Sequence, residues 1–259
     1  MRQLLLLLVA YHPSQDEVNH LESCLAELSP TVGYAVAVND YLPGEPVEKL
    51  AKEADLFLFN RDNPGYGRAV NRLFKEVEKL PSYIGVLNTD LSWQPGTFER
   101  LLDWLEHNPE VKLAVSQILD QFSNPQKLCK KNPTVLGMFS RRFVPESFKP
   151  NWLKRYDSWY TMNDQNYQSV FEAPYLSGCC MLINSEAFRR VGGFDEKYFL
   201  YLEDADLTRS ISREGLCVHL PIASVVHRWG RGNYRDIRLM LINFKSAWHY
   251  FRKWGWTLW

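Results

Sequence analysis

The sequence predicts an α/β fold: a mostly parallel central sheet with helices on both faces, followed by a C-terminal helical extension. Short apolar segments alternate with amphipathic helical patterns through residues 1–120, and this alternation is typical of parallel sheets. The apolar segments, such as LLLLLVA at 4–10, are continuous, as strands buried on both faces are. With 46% hydrophobic and 23% charged residues among 259, the chain has the composition of a folded protein.

The elements of the first half follow one another in βαβ order. Strands are expected at residues 4–10, 34–38, 56–59, 83–87 and 111–118. Helices are expected between them at residues 16–28, 46–53, 67–80 and 96–107. In the last of these helices the apolar residues recur at intervals of three and four, which places one apolar face toward the sheet. These residues are Phe98, Leu101, Leu102 and Leu105.

The second half is less regular. A strand is expected at 175–183, then a short helix that is capped by Ser185 and closed by Gly192-Gly193. A helix through EDADLTRSISREG and a last helix at 234–254 follow. Between residues 126 and 155 the chain carries eight basic residues against one acid. This stretch is either a solvated loop or an acceptor-binding loop that lies on an anionic membrane.

Composition and length exclude several classes of protein. The formal net charge is zero, so no overall field favours nucleic acid. The five cysteines are odd in number and form no CxxC pair, which indicates reduced thiols in a cytoplasmic protein without a zinc site. The opening LLLLLVA is shorter than the roughly twenty residues that span a bilayer, so a buried strand is expected rather than a signal peptide.

Polar residues follow the predicted strands, and ligands of parallel sheets bind beyond the carboxyl ends of the strands. Asp90 comes directly after a strand and is either a turn residue or a ligand of Mg²⁺ or Mn²⁺, which prefer carboxylates. The other residues at strand ends suit a nucleotide, although loops are polar in general. They are Tyr11, His12, Asn39, Asp40, Asn63 and Asn88.

The stretch YLEDADL places three carboxylates, Glu203, Asp204 and Asp206, directly after an apolar segment. One interpretation is a helix N-terminus, where each acid gains roughly 0.3–1 kcal/mol from the helix dipole. The other is that the apolar segment fixes one carboxylate at the floor of a cleft as a general base.

Four segments resemble, in order, the motifs of glycosyltransferase family 2, in particular its bacterial rhamnosyltransferase-like branch. GGFDEKYFLYLEDADLTRSISREG resembles the family's "GGFDE.FF.Y.EDxDL..R....G". DNPGYGRAVNR resembles "N.G.a.g.N", with matches at Asn63, Gly65, Gly67 and Asn71. VLNTDLSWQPG resembles a DxD-type "NPD....PG", and LLLLLVAYHP resembles the first strand and its turn. The resemblance covers nearly all of residues 1–230.

This resemblance implies a GT-A (Rossmann-like) domain at 1–232, with a nucleotide-sugar-binding half at 1–120 and an acceptor and catalytic half at 121–232, and a helical tail at 233–259. It also implies an inverting, Mg²⁺- or Mn²⁺-dependent transferase. The expected reaction moves L-rhamnose from dTDP-rhamnose to a saccharide or lipid-linked saccharide in surface polysaccharide (O-antigen) synthesis. A UDP-sugar transferase of the same fold and a non-catalytic nucleotide-sugar-binding or scaffold protein are the alternatives.

Roles for individual residues also follow from the resemblance. Asp204 is the expected catalytic base, with Glu203 beside it, and Asp90 and His227 are the expected metal ligands. Acceptor binding is expected from Ser177, Gly178, Glu203 and Trp229. Donor binding is expected from Tyr11, His12, Asn39, Asp40, Asn63, Gly65, Arg68, Asn71, Asn88, Arg228 and Arg231.

Two departures from the family pattern concern the donor site. Asn39-Asp40 reverses the usual order of acid and amide. The residues that contact the nucleobase and the ribose of the donor are therefore not assigned by the resemblance. Asn88 replaces the first acid of the DxD motif, so the site has one negative charge fewer and is expected to bind metal more weakly.

The tail NFKSAWHYFRKWGWTLW mixes aromatic and basic residues. Such a composition is typical of interfacial helices, but it equally fits packing onto the domain or a homodimer interface. The expected location is the cytoplasm, with peripheral contact to the inner face of the cytoplasmic membrane as one alternative.

Overall fold

The structure is a computed structural model that describes residues 2–227 and 236–259. Within these residues nine strands form one sheet in the order β3-β2-β1-β4-β8-β6-β9-β5, with β7 paired to β9, which confirms the predicted α/β class. The strands are β1 (Leu4–Ala10), β2 (Val32–Val38), β3 (Leu56–Phe59), β4 (Tyr83–Asn88), β5 (Leu91–Trp93), β6 (Val111–Leu119), β7 (Phe171–Glu172), β8 (Cys180–Asn184) and β9 (Leu216–His227).

The parallel strands β3, β2, β1 and β4 bring the predicted ligand-binding residues to one edge. Every residue of β1 and β2 is buried, which explains their continuous apolar sequences. The register pairs Ala10 with Val38 and Val9 with Asn88. The residues that follow these strands therefore leave the sheet on the same side, as the sequence predicts.

The other half of the sheet contains antiparallel neighbours. Strand β8 is inserted between β4 and β6 and runs antiparallel to both, while β9 runs parallel to β6. The strand expected at 175–183 begins only at Cys180. The three-residue β5, which pairs with β9, has no predicted counterpart.

The helices are α1 (Gln15–Ala26), α2 (Tyr66–Lys75), α3 (Thr97–His107), α4 (Val135–Phe143), α5 (Asn151–Tyr160), α6 (Ser185–Val191), α7 (Glu203–Ile211) and α8 (Ile237–Trp254), with a 3₁₀ helix at Pro46–Lys52. The apolar face predicted for α3 is buried. Helix α6 is capped by Asn184, whose Oδ1 accepts from the Ala187 backbone N–H at 3.0 Å, and not by Ser185 as expected. It ends at Gly192 in the left-handed conformation.

The basic stretch 126–155 is not a loop throughout, because it contains α4 and the first turns of α5. The two helices are joined through Asp157, which accepts from Ser140 and, at 2.6 Å, from Lys149. Among the described residues, no helix combines the length and hydropathy needed to cross a bilayer.

Helix α8 packs onto the domain through part of its surface. Tyr250 and Phe251 are buried in a cluster with Tyr198 and Leu202. Lys253 Nζ contacts Asp195 Oδ2 at 3.1 Å and Asp206 Oδ2 at 2.8 Å. The tail thus holds the segment that leads into α7.

Candidate active site

Asp90 and His227 form a pair at the carboxyl edge of the sheet. The antiparallel pairing of β5 with β9 sets Leu91 opposite His227, which brings the histidine beside Asp90. Asp90 Oδ2 lies 3.1 Å from His227 Nε2. Asp90 Oδ1 and His227 Nδ1 are both buried without a hydrogen-bond partner. Buried polar atoms normally have a partner, so the pair has the features of an incomplete ligand set.

The donor atoms of this pair fit a divalent cation. Two ligand atoms that bind one metal at about 2.1 Å and at a right angle are about 3 Å apart. Within the described part of the chain, no group of three or more His, Cys, Asp or Glu residues is arranged to hold a metal. Mg²⁺ and Mn²⁺ accept such sparse protein coordination, because phosphate oxygens and water complete their shell.

Asp204 lies at the start of α7 and is fixed by backbone N–H groups. Gly178 donates to its Oδ2 at 2.9 Å and Ala205 to its Oδ1 at 2.9 Å. A Cβ atom on residue 178 would lie 3.0 Å from the Cβ of Asp204, so this close approach favours glycine. Since each carboxylate oxygen has a second lone pair, Asp204 retains acceptor capacity.

The loop 177–179 connects Asp204 to the Asp90 strand. Besides the Gly178 contact, the Cys179 carbonyl accepts from the Asn88 backbone N–H at 3.0 Å. The pKa of the Cys179 thiol is raised to about 11, mainly by burial and further by the negative charges of Asp90 and Asp204. Both carboxylates therefore act on one side chain, although they are more than a hundred positions apart in the sequence.

The three acids of YLEDADL have separate roles. Glu203 is buried, and desolvation followed by the charge of Asp204 raises its pKa well above the usual range. Asp206 is also buried and accepts from Trp254 Nε1 at 2.6 Å and from Lys253, so it anchors α8. Asp204 alone remains partly exposed. The backbone before them is strained, since Tyr201 and Leu202 have φ of 71° and 66°.

We expect Glu203→Gln to stabilise the metal-free protein as the pH rises. The unfolded chain loses the Glu203 proton above its ordinary pKa of 4.5, whereas the folded protein keeps it, so this residue lowers stability with increasing pH. The gain at pH 7 is expected to be about 1–3 kcal/mol. Urea unfolding between pH 5 and 8 measures it, with the exposed Glu22→Gln as control. Parallel pH curves for the wild type and Glu203→Gln would contradict a neutral Glu203.

Lys130 and Tyr175 lie near Asp204, and no motif in the sequence points to either residue. The two residues exchange backbone hydrogen bonds, and Lys130 Nζ lies 4.5 Å from the Tyr175 ring centroid. Burial lowers the pKa of Lys130, while the charge of Asp204 opposes that change. Burial and Asp204 raise the pKa of Tyr175. Lys130 belongs to the basic stretch, but nothing in the stretch distinguishes it from its neighbours.

The predicted donor residues near the first two strands form a polar network. Asn39 Oδ1 accepts from Asn60 at 2.9 Å, and Asn39 Nδ2 donates to Asn63 at 3.3 Å. His12 contacts Glu45 and, at 3.2 Å, Asp40, and hydrogen bonds with these carboxylates raise its pKa. The structure therefore brings the five residues 12, 39, 40, 60 and 63 to the same edge.

Asn71 and Arg68 are exceptions among the predicted donor residues. Asn71 is buried and binds the backbone of Phe194, donating to its carbonyl at 2.8 Å and accepting from its N–H at 3.0 Å. Arg68 donates to the Glu196 carbonyl at 2.7 Å. Both side chains therefore hold the GGFDE segment, and through it the chain that leads to Asp204, while their donor-binding role stays a prediction.

Gly65 packs against the same segment, and we expect Gly65→Ala to be strongly destabilising. Its φ is +93°, and an added Cβ would lie 2.4 Å from the Phe199 carbonyl oxygen. Gly44 is a matched control, because its φ is +89° but its surroundings are open. Thermal unfolding should show a loss of about 1 kcal/mol for Gly44→Ala and at least about 3 kcal/mol for Gly65→Ala. Equal losses would show that the Phe199 contact costs nothing.

The remaining predicted residues are placed as follows. Tyr11 is exposed, and its ring lies 4.5 Å from that of His12. The hydroxyl of Ser177 contacts Cys179 Sγ at 3.6 Å. Three predicted residues lie outside the described part of the chain: Arg228, Trp229 and Arg231.

Solved structures with related folds include GalNAc-T7 with UDP, GalNAc and Mn²⁺, with a TM-score of 0.69 and 12% identity over 98% of this chain and 48% of that one. The mannosyltransferase PcManGT from Pyrobaculum calidifontis, in complex with GDP-Man and Mn²⁺, has a TM-score of 0.61 and 15% identity over 98% and 64%. This chain therefore spans only about half to two thirds of those chains. At such identities the likeness concerns the fold alone, and it confirms the GT-A fold.

Sequence comparisons give a family. Residues 36–192 match the model for glycosyl transferase family 2. An N-acetylglucosaminyl-diphospho-decaprenol L-rhamnosyltransferase of Mycobacterium tuberculosis is 31% identical over 245 residues, 88% of this chain and 76% of that protein. Rhamnosyltransferase WbbL of Escherichia coli K12 is 39% identical over 54 residues, 20% of each chain. With its fold, its motifs and the paired acidic centres described above, this chain belongs to glycosyltransferase family 2.

Proposed function

We propose that the protein is an inverting rhamnosyltransferase that uses dTDP-L-rhamnose and a lipid-linked saccharide. The observation that carries this proposal is that the loop 177–179 joins the two acidic centres: Gly178 donates to Asp204, and the Cys179 carbonyl accepts from Asn88, two residues before Asp90. An acid beside a metal-binding pair is the arrangement that transfer from a nucleoside diphosphate requires. The choice of rhamnose and of the lipid-linked acceptor rests on the rhamnosyltransferase of Mycobacterium tuberculosis.

Asp204 is the general base in this proposal. Its carboxylate takes the proton of the acceptor hydroxyl while that oxygen forms a bond to the anomeric carbon, and the bond from this carbon to the nucleoside diphosphate breaks on the opposite face. The backbone donors Gly178 and Ala205 hold the carboxylate in place. The buried, protonated Glu203 has a hydroxyl that donates a hydrogen bond to the acceptor.

Asp90 and His227 are the residues that would hold Mg²⁺ or Mn²⁺, with Asn88 available as a weaker oxygen donor. When bound there, the cation supplies positive charge to the leaving diphosphate. The Mn²⁺ in both solved relatives supports this assignment. In the proposal the enzyme acts in the cytoplasm, and its acceptor brings it to the inner face of the membrane.

A panel of nucleotide sugars tests the donor. We expect dTDP-L-rhamnose to give the largest Mn²⁺-dependent rise in melting temperature and to be transferred to an N-acetylglucosaminyl diphosphate lipid. A larger response to UDP-galactose, UDP-galactofuranose or UDP-glucose would replace rhamnose by that sugar. Donor binding without transfer or hydrolysis would support the non-catalytic alternative, and no response to any donor would contradict the proposal.

A further inference from the structure

Two clefts beside the candidate active site share residues of α4. The first has a volume of about 1470 Å³, and its lining includes His227 and five basic residues. The second is a groove of about 490 Å³ between α4 and α8, lined almost entirely by apolar atoms. Arg142 and Phe143 line both. The candidate metal pair, the basic cleft and the apolar groove therefore follow one another along the molecule.

The basic cleft has positive charge that its own acids do not balance. Lys149 is paired with Asp157 at 2.6 Å and with Glu146 at 3.0 Å. No carboxylate among residues 2–227 and 236–259 forms an ion pair with Arg141 or Lys154. Guanidinium and ammonium groups of this kind bind phosphate oxygens, so the cleft suits a diphosphate.

The apolar groove has the size of a ligand pocket, and its aromatic walls are exposed. Phe139, Phe244 and Trp248 have 55%, 50% and 59% of their surface accessible. Exposed apolar patches of this kind mark binding surfaces. The apolar groove is continuous with the basic cleft, and this indicates the kind of ligand. A lipid with an anionic group at one end of an apolar chain would fit both.

We propose that the cleft and the groove together bind the polyisoprenyl diphosphate part of the acceptor. The diphosphate lies against Arg141 and Arg142, the isoprenoid chain leaves along Phe143 and Phe244, and the saccharide reaches His227 and Asp204. This inference rests on the proposed lipid-linked acceptor, and it concerns a binding site that meets the donor site only at His227. It also explains why α8 carries aromatic residues on an exposed face.

Binding of farnesyl diphosphate, measured by tryptophan fluorescence with EDTA present, tests the site without catalysis. EDTA removes any cation held by Asp90 and His227, so that a cation cannot contribute to the binding of the diphosphate. Each buried methylene strengthens binding about fourfold, so Phe244→Ser should raise Kd at least tenfold, as should Arg141→Gln. The matched controls Phe148→Ser and Arg155→Gln alter exposed residues of the same region that line neither cleft, and they should change Kd less than twofold.

Several outcomes would overturn the inference. Binding of farnesyl diphosphate that is no tighter than that of inorganic diphosphate or farnesol alone is the first, and equal weakening of binding by the test and control variants is the second. Loss of phosphatidylglycerol vesicle binding in Phe244→Ser, without any farnesyl diphosphate binding, would make the groove a membrane contact. Dissociation of a dimer by the same variant would make it a subunit interface. Sugar transfer to a soluble acceptor separates these failures from failure of the proposed function.

Discussion

Asp204→Asn is expected to lower the rate of sugar transfer by about 10²–10⁴-fold, the usual contribution of a general base. The substitution keeps the size of the side chain but removes the group that accepts the proton. Donor affinity should stay within about threefold, because Asp204 contacts Gly178 and Ala205 rather than the predicted donor residues. Transfer rates with saturating donor and acceptor, together with a donor thermal shift, measure both quantities.

The folding of this variant is checked in the same experiment. An asparagine has one acceptor oxygen, so one of the two backbone donors is left unpaired, at a cost of about 1–3 kcal/mol. An unchanged donor thermal shift shows that the site remains formed. Glu203→Gln is the matched control in the same helical turn. We expect its rate of sugar transfer to fall less than tenfold, because the amide resembles the protonated acid. Transfer by Asp204→Asn at near wild-type rate would eliminate Asp204 as the base.

Asp90→Asn is expected to lower transfer at least a hundredfold and to abolish the Mn²⁺-dependent thermal shift with a nucleoside diphosphate. Asn88 is already neutral, so this change leaves the candidate metal site without a carboxylate, and hard cations depend on such charge. Even substitutions of residues that only contact the metal ligands lower metal affinity or activity about 10–100-fold. The thermal shift is read without turnover and therefore separates loss of metal from loss of the base.

The control for this variant is Asp103→Asn, which removes a highly exposed carboxylate on α3. It should leave the rate and the thermal shift unchanged. A wild-type response of Asp90→Asn to Mn²⁺ would mean that the cation is held elsewhere. If Asp90 only tightens the binding of Mn²⁺, higher Mn²⁺ concentrations should partly restore the transfer rate of Asp90→Asn. The same increase in Mn²⁺ should leave the rate of the wild type unchanged.

The parts of the fold that could be predicted are those encoded by local periodicity. Strands β1 to β4 are continuous apolar segments, and the residues after them lie at one edge because parallel strands end together. Strand β5 was not predictable, because three residues show no period and their pairing with β9 is non-local. Helices α4 and α5 were not predicted because few of their residues are buried, Gly137 and Ser140 in α4 and Leu153 and Tyr160 in α5, and so the apolar pattern is weak.

In the candidate site, too, local motifs were predictable and contacts between distant residues were not. The motifs located Asp90, Glu203 and Asp204, but they did not separate the roles of the acids. Two partners of Asp206, Lys253 and Trp254, are 47 and 48 residues away, and no spacing rule connects such positions. For the same reason the contact of the Asn71 amide with Phe194, 123 residues away, could not be read from the sequence.

The antiparallel insertion of β8 affects how the chain acquires its structure. Strands β4 and β6 are both made before residue 120, yet their shared neighbour β8 begins at Cys180. Until that segment is synthesised, two apolar strand edges lack their partner, and unpaired edges promote aggregation. A fragment that stops at residue 120 should therefore be insoluble, whereas one that continues past β9 has every strand of the sheet. The sheet that carries both acidic centres is therefore completed only when this late strand joins β4 to β6.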